Sequence, residues 1–364
     1  METTFDLVNL LSRTVSAGAS DLHLCAETAP MMRVNGSLVP LGEAIVAVED
    51  CRELILGALT EKQRSRLEED WELDFALQVD GIGRFRGNAH YTRGTLGAAF
   101  RFIPHTIPEL GSLGHRDTIF RVCGLARGLV LVTGVTGSGK STTMASMIQQ
   151  ISRDLDGVIV TIEDPVEYVF PNARSVIKQR EVGSDTKSFS EALRHALRQD
   201  PDVIFVGEMR DPETIGAALT AAETGHLVLA TLHTIDAPKA IDRMVDAFPG
   251  DQQPQIIAQL ANSLEAIISQ RLIPTEDGKG RVLATETLIA NAAVRACIRE
   301  KRWEQLVGMI EIGAKEGMHT LDEDLTGLYL SRQISKEEAI SNARDRDNIE
   351  SLAREVAPKK KLFG

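Results

Sequence analysis

Residues 128–152 read GLVLVTGVTGSGKSTTMASMIQQIS, and no other stretch narrows the fold as far. An apolar run, LVLVT (129–133), leads into a glycine-rich turn, and a helix-forming segment leaves it. Gly134 to Ser141 fit G-x-x-x-x-G-K-[ST]. Strand, glycine loop and helix is the arrangement a phosphate cradle requires, because loop amides and a helix N-terminus together point partial positive charge at an anion. In that cradle Lys140 reaches the β- and γ-phosphates and Ser141 ligates Mg²⁺. A glycine-rich turn with a chance lysine is the alternative, and the flanking strand and helix argue against it. The stretch predicts a nucleoside triphosphate site.

The rest of the chain divides around RFIPHTIPELGSLGH (101–115), where Pro104, Pro108, Gly111 and Gly114 break any regular element. Before it, the spacing of Phe5, Leu7, Val8, Leu11 and Val15 predicts an amphipathic helix. Strands are expected at 21–25, on either side of Asn35–Gly36, and at 73–79, 84–91 and 95–103, with helix over 49–69. That makes residues 1–103 a small mixed α/β domain, 104–115 a linker and 116–364 a second domain. In the second domain GLVLVTG, GVIVTIE, DVIFVGE and HLVLATL alternate with helical stretches, the pattern of a mostly parallel sheet covered on both faces. From about 291 the chain reads as helices, and PKKKLFG as a frayed tail. The fold class is α/β.

A hydrolytic site also needs carboxylates, one for the metal shell and one to orient or deprotonate water. Glu163 with Asp164, and Glu208, follow apolar strands whose ends converge on one edge of a parallel sheet. Asp164 precedes Pro165 and is expected to shape the turn. On GRFRGNAHY, Arg84 and Arg86 share a strand face, and so require something anionic opposite: an acidic surface, or a nucleotide on an adjacent subunit. Arg93 and Arg101 are similar candidates, whereas Arg194 and Arg198 read as interface or structural residues. His226 and His233 bracket a strand at an odd spacing of seven, which excludes a shared metal grip on one face. Alone, that stretch supports two hydrogen-bonded core histidines.

Bulk composition removes other classes. With 40 Lys and Arg against 52 Asp and Glu, the net charge of −12 argues against a phosphate polymer as main partner. Four scattered cysteines without C-x-x-C indicate neither a disulfide framework nor a zinc knuckle. No apolar run has the 18 residues of a membrane span and no signal peptide is evident, so a cytoplasmic location is expected.

In this order the motifs resemble the secretion ATPases of type II and type IV systems, and within them the type IV pilus retraction group. GASDLHL (18–24) and RVNG (33–36) are similar to the N-terminal PAS-like domain, and GVTGSGKST (134–142) to the Walker A segment. TIEDPVEYV (161–169) resembles the Asp box, VGEMRD (206–211) the Walker B segment and AAETGHLVLATLHT (221–234) the His box, while GMHTLDEDL (317–325) also fits. The resemblance implies a RecA-like ATPase domain using ATP and Mg²⁺. Gly134, Val135, Thr136, Gly137, Ser138, Gly139, Lys140, Ser141 and Thr142 would surround the phosphates. It implies Glu163 as the catalytic glutamate, Glu208 beside Mg²⁺ through water, and His226 and His233 as sensors of the γ-phosphate. It also implies a homohexamer, in which Arg84 and Arg86 act on a neighbour's nucleotide. The ring would sit on the cytoplasmic face of the bacterial inner membrane, peripheral to a platform protein, without nucleic acid. The missing four-cysteine zinc element and longer N-terminus favour the retraction group. AVRACIRE (293–300) keeps Arg295 and Arg299 but departs from that group's AIRNLIRE, so docking differs in detail or the chain is an accessory paralogue. A nucleic-acid-translocating RecA-like motor would need a basic channel. A non-hydrolysing nucleotide-regulated scaffold would not need the acids and histidines.

Overall fold

The structure, a computed structural model, describes residues 5–34, 36–103 and 106–346. Asn35 of the expected turn, Pro104 and His105 at the head of the expected linker, and the PKKKLFG tail (358–364) lie outside these residues. The chain forms two compact units, Met1–Thr106 with Glu167–Val169, and Ile107–Val166 with Phe170–Gly364.

The first unit is built on an antiparallel sheet of β1 (Asp21–Leu24), β2 (Met31–Val34), β3 (Ser37–Pro40), β4 (Glu72–Val79), β5 (Gly83–Thr92) and β6 (Thr95–Ile103), in the order β3-β2-β1-β6-β5-β4. Arg93 and Gly94, at φ 53° and 80°, form the two-residue turn between β5 and β6, because a tight hairpin needs positive φ at both central positions. Gly87 lies between Phe75 and Phe100 in register, and those rings meet edge to face with centroids 5.9 Å apart. A Cβ on Gly87 would stand 2.4 Å from the Phe75 ring, so the aromatic contact excludes any side chain there. The helix Leu7–Ser16 starts at Asp6, whose carboxylate accepts the amides of Val8 and Asn9. Residues 49–69, expected as one helix, form two, Val48–Gly57 and Glu61–Asp70. Thr60 breaks them: its extended backbone begins a capping box with Gln63, which satisfies amides that a continuous helix would have used internally.

The second unit carries β7 (Gly128–Thr133), β8 (Val158–Glu163), β9 (Val176–Glu181), β10 (Val203–Val206), β11 (Leu227–Leu232), β12 (Leu264–Pro274) and β13 (Arg281–Ile289). Their order is β13-β12-β7-β11-β10-β8-β9, and every pair is parallel except β12 with β13. Every residue of β7, β10 and β11 is buried, which is why these strands read as unbroken apolar runs rather than alternating ones. The helices Phe189–Ala196, Pro212–Glu223, Ala237–Asp246 and Gln253–Ser263 contribute Leu193, Leu219, Ile241 and Leu260 to the core against this sheet. The α/β class and the mostly parallel second sheet are as expected; β9, β12 and β13 are additions. Beyond β13 come the helices Ala292–Arg299, Leu306–Ile312, Leu321–Leu330 and Lys336–Asn342. Among the described residues no helix is long and apolar enough to cross a membrane.

Candidate functional site at the carboxyl edge of the parallel sheet

β7 ends at Thr133, and residues 134–139 turn into the helix Lys140–Asp154. Gly134, Gly137 and Gly139 hold φ of 147°, 78° and 89°, a region open to glycine and strained for other residues. Gly134 is doubly constrained, since a Cβ there would lie 2.5 Å from both the Gln270 carbonyl oxygen and Ser138 Oγ. Nothing stands within 4 Å of a Cβ built on Gly137, so the rim of the loop is open. Lys140 is folded over the loop, its Nζ donating to the carbonyls of Gly134 (2.7 Å) and Val135 (3.0 Å). Val135, Thr136 and Ser141 are exposed, and Thr142 is half-buried. Ser138 Oγ is buried with no hydrogen-bond partner. An orphaned hydroxyl, a buried ammonium and an open glycine rim at a helix N-terminus suit a chain of phosphates.

The other expected groups follow neighbouring strands. Glu163 closes β8 and is only 6% exposed; its Oε1 accepts from Thr161 Oγ1 (2.7 Å) and Gln179 Nε2 (3.1 Å). The peptide Asp164–Pro165 after it is cis. Glu208 stands two residues beyond β10, and its Oε1 takes an ion pair from Arg210 Nε and lies 3.2 Å from His233 Nε2. His233 follows β11 directly. Sheet order places β11 and β10 between β7 and β8, so the phosphate loop, His233, Glu208 and Glu163 form one row along the carboxyl edge.

His226 is not in that row. It precedes β11, and its carbonyl accepts the Gly128 amide where β7 begins, at the opposite edge of the sheet. Its Nδ1 lies 3.0 Å from the Ala221 carbonyl at the end of the helix Pro212–Glu223. Seven residue steps at ~3.3 Å each put roughly 23 Å of backbone between the two histidines. The expectation that both reach one crevice is therefore corrected: within one chain only His233 does, because a residue before a parallel strand and one after it emerge on opposite edges.

In the first unit, Arg84 and Arg86 occupy the outward face of β5, and Arg86 pairs in register with Arg101 of β6. Arg101 donates to Asp21 Oδ1 at 2.8 Å, so an acidic neighbour answers that arginine, while Arg86 is exposed. Arg93, at the hairpin tip, lies at the other end of β5. Arg194 pairs with Glu213 at 3.5 Å. Arg295 is committed internally, to the carbonyls of Ala261 and Asn262 and to Glu265, which caps the helix Gln253–Ser263; Arg299 is exposed.

Sequence reasoning missed the groups that hold Glu163. Thr161 was legible, since residues two apart share a strand face; Gln179 was not, because β9 was not expected. Among the described residues no three His, Cys, Asp or Glu side chains cluster to hold a metal. Mg²⁺ suits such a site, since it keeps several waters and takes one or two protein ligands beside substrate phosphates. Ser141, Glu208 and Glu163 are oxygen-bearing groups on this edge.

Comparison with known proteins agrees with this architecture. Residues 101–357 match the model of the type II/IV secretion system protein family. The chain is 46% identical over 344 residues to the "type IV pilus retractation ATPase PilT" of Pseudomonas aeruginosa, covering 94% of this chain and 100% of that one. It is 42% identical to a "twitching motility protein" of Neisseria gonorrhoeae, covering 95% of this chain and 92% of the other. The crystal structure of a pilus retraction motor PilT with bound ADP superposes with a TM-score of 0.90 at 46% identity, over 95% of this chain and 99% of that one. With its family model spanning more than half its length, the chain belongs to the type II/IV secretion system protein family.

Proposed function

We propose that this protein is an ATP-hydrolysing motor that drives type IV pilus retraction as a homohexamer. It would work on the cytoplasmic face of the inner membrane, against a platform protein. The observation that carries this reading is the row at the carboxyl edge: a phosphate loop with a buried lysine, then His233, Glu208 and Glu163. The retraction ATPase and the ADP-bound motor to which the chain is similar support it.

In the proposed mechanism the loop amides from Gly134 to Thr142 bind the phosphates, and Lys140 neutralises the β- and γ-phosphate charge. Ser141 and Glu208 would hold Mg²⁺, which when bound would supply charge stabilisation at the phosphates. Glu163 accepts the proton of the attacking water at its carboxylate, which Thr161 and Gln179 keep in one orientation. His233, against Glu208 Oε1, is placed to register the presence of the γ-phosphate. Arg84 and Arg86 of one copy serve the nucleotide of the next, a contribution that in other phosphoryl-transfer enzymes is worth about 10³–10⁵ in rate. Residues 1–103 form the PAS-like domain of this scheme, and residues 116–364 the RecA-like ATPase domain.

Phosphate release by wild type and Lys140→Ala, with and without DNA, tests the reading. Turnover that Lys140→Ala abolishes and DNA leaves unchanged supports it. Full turnover in the variant removes the loop from the site, and DNA stimulation at physiological salt transfers the protein to the nucleic-acid translocators. Cells lacking the protein should carry long, static pili; absent pili would overturn retraction.

A further inference from the structure

Gln270 of β12 touches the phosphate loop at both ends. Its carbonyl oxygen fills the place a Cβ on Gly134 would take, and its Nε2 donates to Thr143 Oγ1 at 2.8 Å, in the first turn of the helix that leaves the loop. Gln270 and Thr143 are 1% and 2% exposed. The same amide nitrogen lies 3.2 Å from His115 Nε2, and Thr143 Oγ1 lies 3.0 Å from it. Gln270 Nε2, Thr143 Oγ1 and His115 Nε2 thus close a triangle of polar atoms, beside which Gln270 Oε1 is enclosed without a partner. The Gln270 amide orientation and the His115 tautomer together decide which atom donates along each edge, and the ring takes part in its neutral form. Enclosure holds the His115 pKa at about 4, which keeps the ring in that form at neutral pH.

Arg116, the next residue, reaches the other way. Its Nε and Nη2 donate to Asp324 Oδ1 at 3.1 and 2.8 Å, on the helix Leu321–Leu330. Asp324 Oδ2 in turn accepts the amide of Thr285 on β13 at 2.8 Å. The dipeptide is thus pinned to the C-terminal helices on one side and to the loop helix on the other.

We propose that His115 is a positioning residue for nucleotide hydrolysis: anchored through Arg116 to Asp324, it fixes Thr143 against Gln270 and so sets the span between Gly134 and the first helical turn that carries Lys140 and Ser141. Its kinetic consequence rests on the ATPase reading above; its structural consequence does not. None of Thr143, Gln270, His115 or Arg116 belongs to the motif that marks the loop, and no motif in the sequence joins them.

The test uses full-length His115→Phe, which keeps a flat ring without its nitrogens, His115→Gln, which returns a hydrogen-bonding amide near Nε2, and the isosteric Thr143→Val. Hydrogen exchange of amides 140–146 without nucleotide reads the position of the turn directly, and kcat and KM for ATP read its consequence. His115→Phe and Thr143→Val should each raise exchange of these amides about fivefold, the equivalent of one lost hydrogen bond. They should lower kcat five- to tenfold with little change in KM, and His115→Gln should recover kcat to within about twofold of wild type. Adding Arg116→Met to His115→Phe should cost no more than His115→Phe alone. Should His115→Phe fail to fold, Thr143→Val carries the same exchange test. Wild-type exchange in a folded His115→Phe or Thr143→Val, a His115→Gln as impaired as His115→Phe, or additive losses on adding Arg116→Met would overturn the proposal. A wild type without ATPase activity would instead sink the functional reading, and leave the exchange result to stand or fall by itself.

Discussion

Glu163→Gln separates binding from chemistry more cleanly than any other change at this site. The carboxylate accepts from Thr161 Oγ1 at 2.7 Å and Gln179 Nε2 at 3.1 Å through the same oxygen. A glutamine carbonyl in that position keeps both bonds, so the substitution should cost no more than about 1 kcal/mol of stability. In a chain of this size that is a shift of roughly 1–2 °C in Tm. What the amide lacks is basicity. A positioned general base is worth about 10²–10⁴ in rate, or ~3–5 kcal/mol of barrier. The assay is phosphate release at saturating ATP, run beside equilibrium binding of a fluorescent ATP analogue with magnesium. Hydrolysis should fall at least a hundredfold while affinity changes less than about threefold. Glu163→Ala, which removes the acceptor of Thr161 Oγ1 and Gln179 Nε2, should lose a further ~1–3 kcal/mol of stability, visible in the melting curve. A Glu163→Gln enzyme that keeps more than about a tenth of wild-type turnover would place the base elsewhere.

Gly134→Ala sets a Cβ against the Gln270 carbonyl at 2.5 Å, a backbone atom with little room to retreat; nucleotide binding should be lost even where circular dichroism shows a folded chain. Gly87→Ala drives a methyl into the Phe75 ring and should destabilise the first unit by ~1–3 kcal/mol in urea unfolding, with the nucleotide affinity of the folded protein unchanged. Enclosure pushes His115 and His319 down to about 4 from 6.5, with Asp324 opposing the shift in both and Arg116 adding to it at His319. Their neutral forms therefore stabilise the fold fully above pH 6.5, and that contribution is lost as pH falls toward 4. For His115 the loss between pH 7 and pH 5 is about 2 kcal/mol, and urea midpoints should show it flattened in His115→Gln. If Arg86 acts across subunits, mixing Arg86→Ala with Lys140→Ala should give more turnover than either alone; a mixture no better than its parents would refute action in trans.

The second sheet was legible where burial is complete. β7, β8, β10 and β11 announce themselves because strands covered on both faces admit almost only apolar residues. β9, reading VIKQRE, is a half-exposed edge whose polar residues carry no such signal. β12 and β13 did carry one, LEAIISQRLIP and RVLATETLI around Asp277 and Gly278, and it went unread, no element being assigned between β11 and the helices expected from about 291. The phosphate loop was legible because its glycines answer a backbone requirement. Glu208 with His233 was legible only as an acid after one strand and a histidine after another, since their contact depends on β10 lying beside β11. His226 shows the converse: position along a strand was plain, and the edge on which it emerges required the strand's direction in the sheet.

The row formed by His233, Glu208 and Glu163 is lined up by the pairing of β11, β10 and β8, with Glu163 closing its strand and the other two just past the ends of theirs. Sliding any one of those strands by a single residue would displace its member by ~3.3 Å and turn it to the other face. Insertions and deletions inside β8, β10 or β11 should therefore extinguish function at a stroke. The exposed turn at Asp277 and Gly278, beyond which β13 only adds an outer strand, is where a reporter peptide can be grafted with the machine left running.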